Sequence, residues 1–154
     1  MVVTAWRDFQ HIVYNQSGTF LERLKQFGDY NMSCTAMDLV AAAKQHIQEI
    51  DVAQAMQTLE HFQVLDVREP GEYAAGCLPH AINIPRGVLE FKIDSHPSFQ
   101  GKQDAEVLVY CLTGGRSALA VESLQKLGWS KCVSLAGGFN SWQQAGGREI
   151  TPAA

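Results

Sequence analysis

No apolar run in the 154 residues approaches the ~18 needed to cross a bilayer, so no membrane span is expected. Basic charge is not in excess either. Twelve Lys and Arg against 16 Asp and Glu leave a formal net charge of −4, which gives no electrostatic reason to expect a nucleic-acid or membrane partner. Low-complexity tracts and internal repeats are missing, as in an ordinary globular chain. Cysteine is sparse: Cys34, Cys77, Cys111 and Cys132 form no CxxC pair, and the histidines at 11, 46, 61, 80 and 96 show no ligand-like spacing to them. No metal site is therefore expected. The start, MVVTAWRDFQ, carries Arg7 and Asp8 where a signal peptide needs an apolar stretch, so a cytoplasmic location is expected. In a reducing cytoplasm most of the four thiols should be core filler, with one or two at most reactive.

What is present divides into two parts. Residues 1–45 read as a helical extension. Phe20, Leu21, Leu24 and Phe27 fall at helical spacing, and Thr35 to Asp38 resembles a capping box opening a second helix through Val40 and Ala43. These helices carry no evident chemistry and are expected to pack on the following domain, with a homodimer through residues 1–45 as the alternative use. Residues 46–150 then alternate short apolar strands with helices. Ile47 to Ile50, Phe62 to Val67, Ala81 to Ile84, Val107 to Tyr110 and Cys132 to Leu135 read as strands. A second capping box at Asp51 to Gln54 and the apolar spacing over 116–127 mark helices between them. Such alternation predicts an α/β fold, a parallel sheet covered on both faces, with ligands bound beyond the carboxyl ends of the strands.

Cys111 stands at one of those ends. The segment CLTGGRS, Cys111 to Ser117, turns from an apolar strand into a helix through two glycines. Gly114 and Gly115 permit positive φ, so that backbone N–H groups can converge on one hollow at the start of the helix. Arg116 adds a cation with a two-pronged donor face, and Ser117 adds a hydroxyl. This setting favours an anionic sulfur, thiolate or persulfide. From the residues alone it suits phosphoryl transfer or sulfur transfer, and leaves a structural thiol open.

Three segments in order narrow the choice. LDVREPGEYAAGCLPHAINIP (Leu65–Pro85), VYCLTGGRSALA (Val109–Ala120) and LAGGFNSWQQAGG (Leu135–Gly147) resemble the signatures of a single rhodanese domain. The resemblance implies a five-stranded parallel sheet flanked by helices and a sulfurtransferase of the thiosulfate sulfurtransferase class. It implies that Cys111 takes a sulfane sulfur from thiosulfate or a protein persulfide, and that the persulfide rests among the N–H groups of Leu112, Thr113, Gly114, Gly115, Arg116 and Ser117. A thiol or cyanide then accepts the sulfur, with no cofactor. Asp66 and Arg68 match the family's Asp-x-Arg, with supporting roles. Arg68 is expected to pair with Glu72, and Asp66 to hold loop backbone. Gly137 and Gly138 are expected to allow close backbone approach, and Trp142 to be core.

The chain also departs from the family's pattern. Gly76-Cys77-Leu78-Pro79-His80-Ala81 stands where Gly-His-Ile-Pro-Gly-Ala is usual, so Cys77 replaces a histidine and His80 a glycine. Cys77 is expected to be a buried apolar substitute. Leu112 leaves Arg116 as the loop's one cation. Two other uses of the same fold are weighed, a protein-binding module without catalysis and a cysteine phosphatase or arsenate reductase. Loop length separates the latter. Four residues lie between Cys111 and Arg116, whereas the phosphatase loop has five.

Overall fold

The computed structural model describes residues 34–152. The first expected helix, with Phe20, Leu24 and Phe27, lies outside them. A compact unit begins at Thr35. Its first helix, α1 (Ala36–Lys44), opens on the expected capping box: Thr35 Oγ1 accepts from the Asp38 N–H at 3.2 Å, and the Asp38 carboxylate accepts from the Thr35 N–H at 2.8 Å. Val40 and Ala43 form its buried face, and the Val40 side chain lies over Gly115.

Strand β1 (Gln48–Ile50) leads through the Asp51 capping box into α2 (Val52–Thr58) and a single 3₁₀ turn, Leu59–His61. Strand β2 (Gln63–Asp66) is followed by α3 (Pro70–Ala75), with proline in its first turn, where a missing N–H is harmless. Strand β3 (Ile82–Asn83) is short, since Pro85 soon removes a donor from the ladder. A small helix α4 (Leu89–Lys92) leads to β4 (Val107–Tyr110), α5 (Gly115–Lys126), β5 (Cys132–Leu135) and α6 (Gly138–Gln144).

The five strands form one sheet in the order β1-β5-β4-β2-β3, every pair parallel. Register sets Asp66 beside Tyr110 and Leu65 beside Val109, so β2 and β4 end level. Two apolar layers enclose the sheet. One gathers Leu65, Val109, Val121, Leu124 and Trp129, and the other Val64, Leu108, Tyr110, Phe139 and Trp142. Alternate residues of β2 and β4 face opposite layers, which is why VLVY is apolar throughout. Trp142 is core, its indole N–H donating to the Arg148 carbonyl at 3.0 Å. Among the described residues no helix is long and apolar enough to cross a membrane, and no cluster of His, Cys, Asp and Glu is placed to hold a metal.

Candidate active site

The central strand ends at Tyr110, and Cys111 is the next residue, at the carboxyl edge of the sheet. The chain turns at Gly114, φ 97°, a left-handed conformation that favours glycine, and α5 starts immediately. Gly115 is the first helical residue and needs no positive φ, so only the first glycine is required for conformation. The turn aims the Gly114 N–H at the Cys111 sulfur, with N···Sγ 3.1 Å. On the other side Sγ lies 3.6 Å from Ser117 Oγ, which is 2.9 Å from Ser134 Oγ. Cys111 is only 1% exposed, although its neighbours Leu112 and Thr113 lie at the surface.

A second loop clamps the first. Gly137 and Gly138, φ 73° and 60°, carry the chain from β5 into α6. The Phe139 N–H donates to the Cys111 carbonyl at 2.7 Å and the Asn140 N–H to the Leu112 carbonyl at 3.0 Å. A Cβ on Gly138 would collide with the Cys111 carbonyl oxygen and stand 2.8 Å from the Leu112 carbonyl carbon. The close approach expected of these glycines is present.

Asp66 and Arg68 form a buried pair beneath the loop, at 0% and 2% exposure. The Arg68 Nη2 donates to Asp66 Oδ2 at 2.7 Å and to the Gly76 carbonyl at 2.7 Å. Asp66 Oδ1 also accepts from the Arg68 backbone N–H at 2.9 Å, which fixes the turn after β2. The guanidinium lies 4.1 Å from the Phe139 ring centroid, a cation over an aromatic face. The expected Arg68–Glu72 pair is therefore not formed. Asp66 is two residues away, at the end of β2, whereas Glu72 lies a turn into α3. Glu72 instead holds Arg116: Nη1 donates to Oε2 at 2.8 Å and Nη2 to Oε1 at 2.9 Å. Hydrogen bonding to Arg116 is the main reason the Glu72 carboxyl is lowered to about 2, and the same contact raises the Arg116 pKa.

The contact of Glu72 with Arg116 and that of Ser134 with Ser117 are not among the expectations from sequence, which pair Glu72 with Arg68. Glu72 had a local signal, since Glu-Pro-Gly-Glu before a helix is a capping arrangement, and its reach to Arg116 is tertiary. Ser134 is a hydroxyl in an otherwise apolar strand, fully buried, and such a group must have a partner. Cys77 is buried at 0% exposure in a backbone bridge with Ile150, and burial, then the charge of Asp66, pushes its thiol pKa up. It is the apolar substitute expected. His80 does adopt a glycine-like backbone, φ 60°, and its ring is solvent-exposed near Glu60.

Comparison with known proteins supplies a family. The model of the rhodanese-like domain matches residues 44–145. A sulfurtransferase of Allochromatium vinosum is 28% identical over 109 residues, covering 69% of this chain and 97% of that protein. An adenylyltransferase and sulfurtransferase of Ogataea parapolymorpha is 28% identical over 124 residues, 80% of this chain but only 29% of that longer protein. A solved structure from Rhodopseudomonas palustris, described as a protein of unknown function and possible tyrosine phosphatase, superimposes with a TM-score of 0.69 at 30% identity. It covers 76% of this chain and 95% of that one.

Proposed function

The chain belongs to the rhodanese-like domain family, and from that premise we propose that it is a sulfurtransferase working through a persulfide on Cys111. The observation that carries the reading is the sulfur's setting: a cysteine at the end of the central strand, with the Gly114 N–H directed at it from 3.1 Å and a buried serine pair behind it. A donor N–H already in place stabilises charge on sulfur without reorganising during the reaction.

In the proposed cycle the Cys111 thiolate attacks the outer sulfur of thiosulfate or of a protein persulfide. A new sulfur–sulfur bond forms at Sγ, and the donor's own sulfur–sulfur bond breaks, its electron pair leaving with sulfite or with the donor thiolate. A thiol, or cyanide in the assay, then attacks the terminal sulfur and restores the thiolate. This is two-step covalent catalysis. A reduced resting thiol suits the cytoplasm, where we place the protein.

The resemblance to a possible tyrosine phosphatase makes phosphoryl transfer the reading to test against. Geometry favours sulfur. Four residues separate Cys111 from Arg116, so the loop is one short of the phosphatase length. Cys111 is 1% exposed, which suits delivery of a single divalent sulfur better than a tetrahedral centre with oxygens on all sides. Both terminal nitrogens of the Arg116 fork are also engaged by Glu72, whereas in-line transfer would need them free for the phosphoryl oxygens. Cys111→Ser should abolish thiocyanate formation from thiosulfate and cyanide, Cys77→Ala should keep it within about twofold, and p-nitrophenyl phosphate should not be hydrolysed. Undiminished thiocyanate formation by Cys111→Ser would overturn the proposal.

A further inference from the structure

Glu72 lies outside the active loop, and no step of sulfur transfer calls for it. Its carboxylate nevertheless occupies the loop's one cation end-on, both oxygens against both terminal nitrogens of Arg116. Nor is Glu72 a free surface group. Its Oε2 also accepts from the Glu69 N–H at 2.9 Å, completing the capping box that opens α3. The guanidinium of the loop is thus moored to a helix on another segment of the chain. Each side chain keeps about a third of its exposure, 35% for Arg116 and 30% for Glu72, so solvent can compete for the pair and it can exchange. Around it the loop offers no compensating charge, since its exposed side chains are Leu112 and Thr113.

We propose that Glu72 sets the donor selectivity of the site: by holding Arg116 it favours a donor that leaves as a thiolate over thiosulfate, which leaves as sulfite. This rests on the sulfurtransferase reading. The two donors deliver the same atom with different charge. From R–S–SH, the Cys111 thiolate takes the outer sulfur with its hydrogen, and R–S⁻ departs with the electron pair, so one negative charge is present throughout. From thiosulfate, the thiolate meets a dianion; Cys111–S–S⁻ and sulfite dianion result, and three negative charges are present throughout. The second path needs a cation near the sulfonate oxygens, and the loop cation is already neutralised. A thiosulfate ion must displace Glu72 from Arg116 and then sit beside a released carboxylate.

The test separates binding from turnover. Glu72→Gln removes the charge but keeps an acceptor for the Glu69 N–H, because glutamine serves in a capping box as glutamate does. Its thiosulfate KM should fall about five- to tenfold, and the ratio of its kcat/KM for thiosulfate to that for glutathione persulfide should rise by about the same factor. In the unreactive Cys111→Ser background, calorimetric titration should show Glu72→Gln tightening thiosulfate binding by about the same factor, with a steeper loss in salt. Adding Arg116→Ala should remove that gain. Glu72→Met, neutral and of similar reach, repeats the measurement with a side chain that makes no polar contact at all. Equal thiosulfate affinity with and without the Glu72 substitutions would overturn the inference. Tightened binding without sulfur transfer from either donor would instead overturn the sulfurtransferase reading and leave the Glu72 lock on Arg116 standing.

Discussion

Gly138 shows how one residue governs the loop that carries the sulfur. Its positive φ and its contact with the Cys111 carbonyl leave no room for a methyl group, and the atoms opposite are backbone, which cannot rotate away. Gly138→Ala should lower sulfur transfer by about a hundredfold, because displacements near 1 Å at a reacting centre cost that much. Gly137→Ala also strains a positive φ and meets Ser141 Oγ and Cβ on α6 rather than the backbone of the sulfur-bearing loop, so its cost should fall on stability more than on turnover. Paired kinetics of the two variants check the difference. His80 is the converse case, a left-handed backbone filled by a side chain. His80→Gly should leave the fold as stable as before or up to about 1 kcal/mol more so, and His80→Val should cost about 1–2 kcal/mol, read from denaturant midpoints. Both effects are local. The sequence motifs identified these positions because a glycine requirement, or its violation, is written in single residues. The Glu72–Arg116 pair was not readable that way, since which carboxylate meets which guanidinium depends on how α3 and α5 come together.

At the scale of elements, α3 is held to the head of α5 by that pair, and its strength should follow the protonation of Glu72. The folded carboxyl, near 2, lies below the ordinary value of 4.5, so the unfolded chain takes up the proton first as pH falls. The pair's contribution should be complete above about pH 4.5 and lost between there and about pH 2. Glu72→Gln should flatten that acid limb by about 1–2 kcal/mol after allowance for solvent screening, measurable by urea unfolding across the window. The Asp66–Arg68 pair beneath the loop is fully buried and has no such allowance. Asp66→Ala should destabilise by about 3–5 kcal/mol, mostly the cost of a guanidinium left buried without its partner. Strands β4 and β5 were legible to the residue because buried parallel strands are short, apolar and closed by glycine or polar residues. The edges of β1, β2 and β3 lie one residue inside those expected, at Ile47, Phe62, Val67, Ala81 and Ile84; Val67 and Ile84 each still donate one N–H, to the Tyr110 and Asp66 carbonyls at 3.0 Å, where the ladder ends. Helix α1 was legible from its capping box, although nothing in the sequence showed that Val40 would lie against Gly115.

For the whole molecule, the sheet and both its layers serve to present one sulfur at the end of the central strand. The compact unit begins at Thr35, and Val40 and Ala43 are buried within it. A variant lacking residues 1–45 should therefore lose about 2 kcal/mol or more of stability relative to one lacking only residues 1–33, since burying a valine side chain alone is worth about that much. Light scattering of the full chain and of both shortened chains tests the homodimer weighed as the alternative use of residues 1–45. A dimer through them predicts particles of two protomers for the full chain and of one protomer once those residues are removed, whereas a packing extension predicts one protomer in every case. The central claim, that Cys111 receives and passes on a sulfane sulfur, is met most directly by mass spectrometry. The reduced protein is incubated with thiosulfate or glutathione persulfide, weighed intact, and mapped by peptide. The account predicts a gain of one sulfur atom, located on Cys111, absent in Cys111→Ser and discharged on adding cyanide. No added sulfur from either donor, or sulfur carried on Cys34, Cys77 or Cys132 while Cys111 stays unmodified, would contradict it.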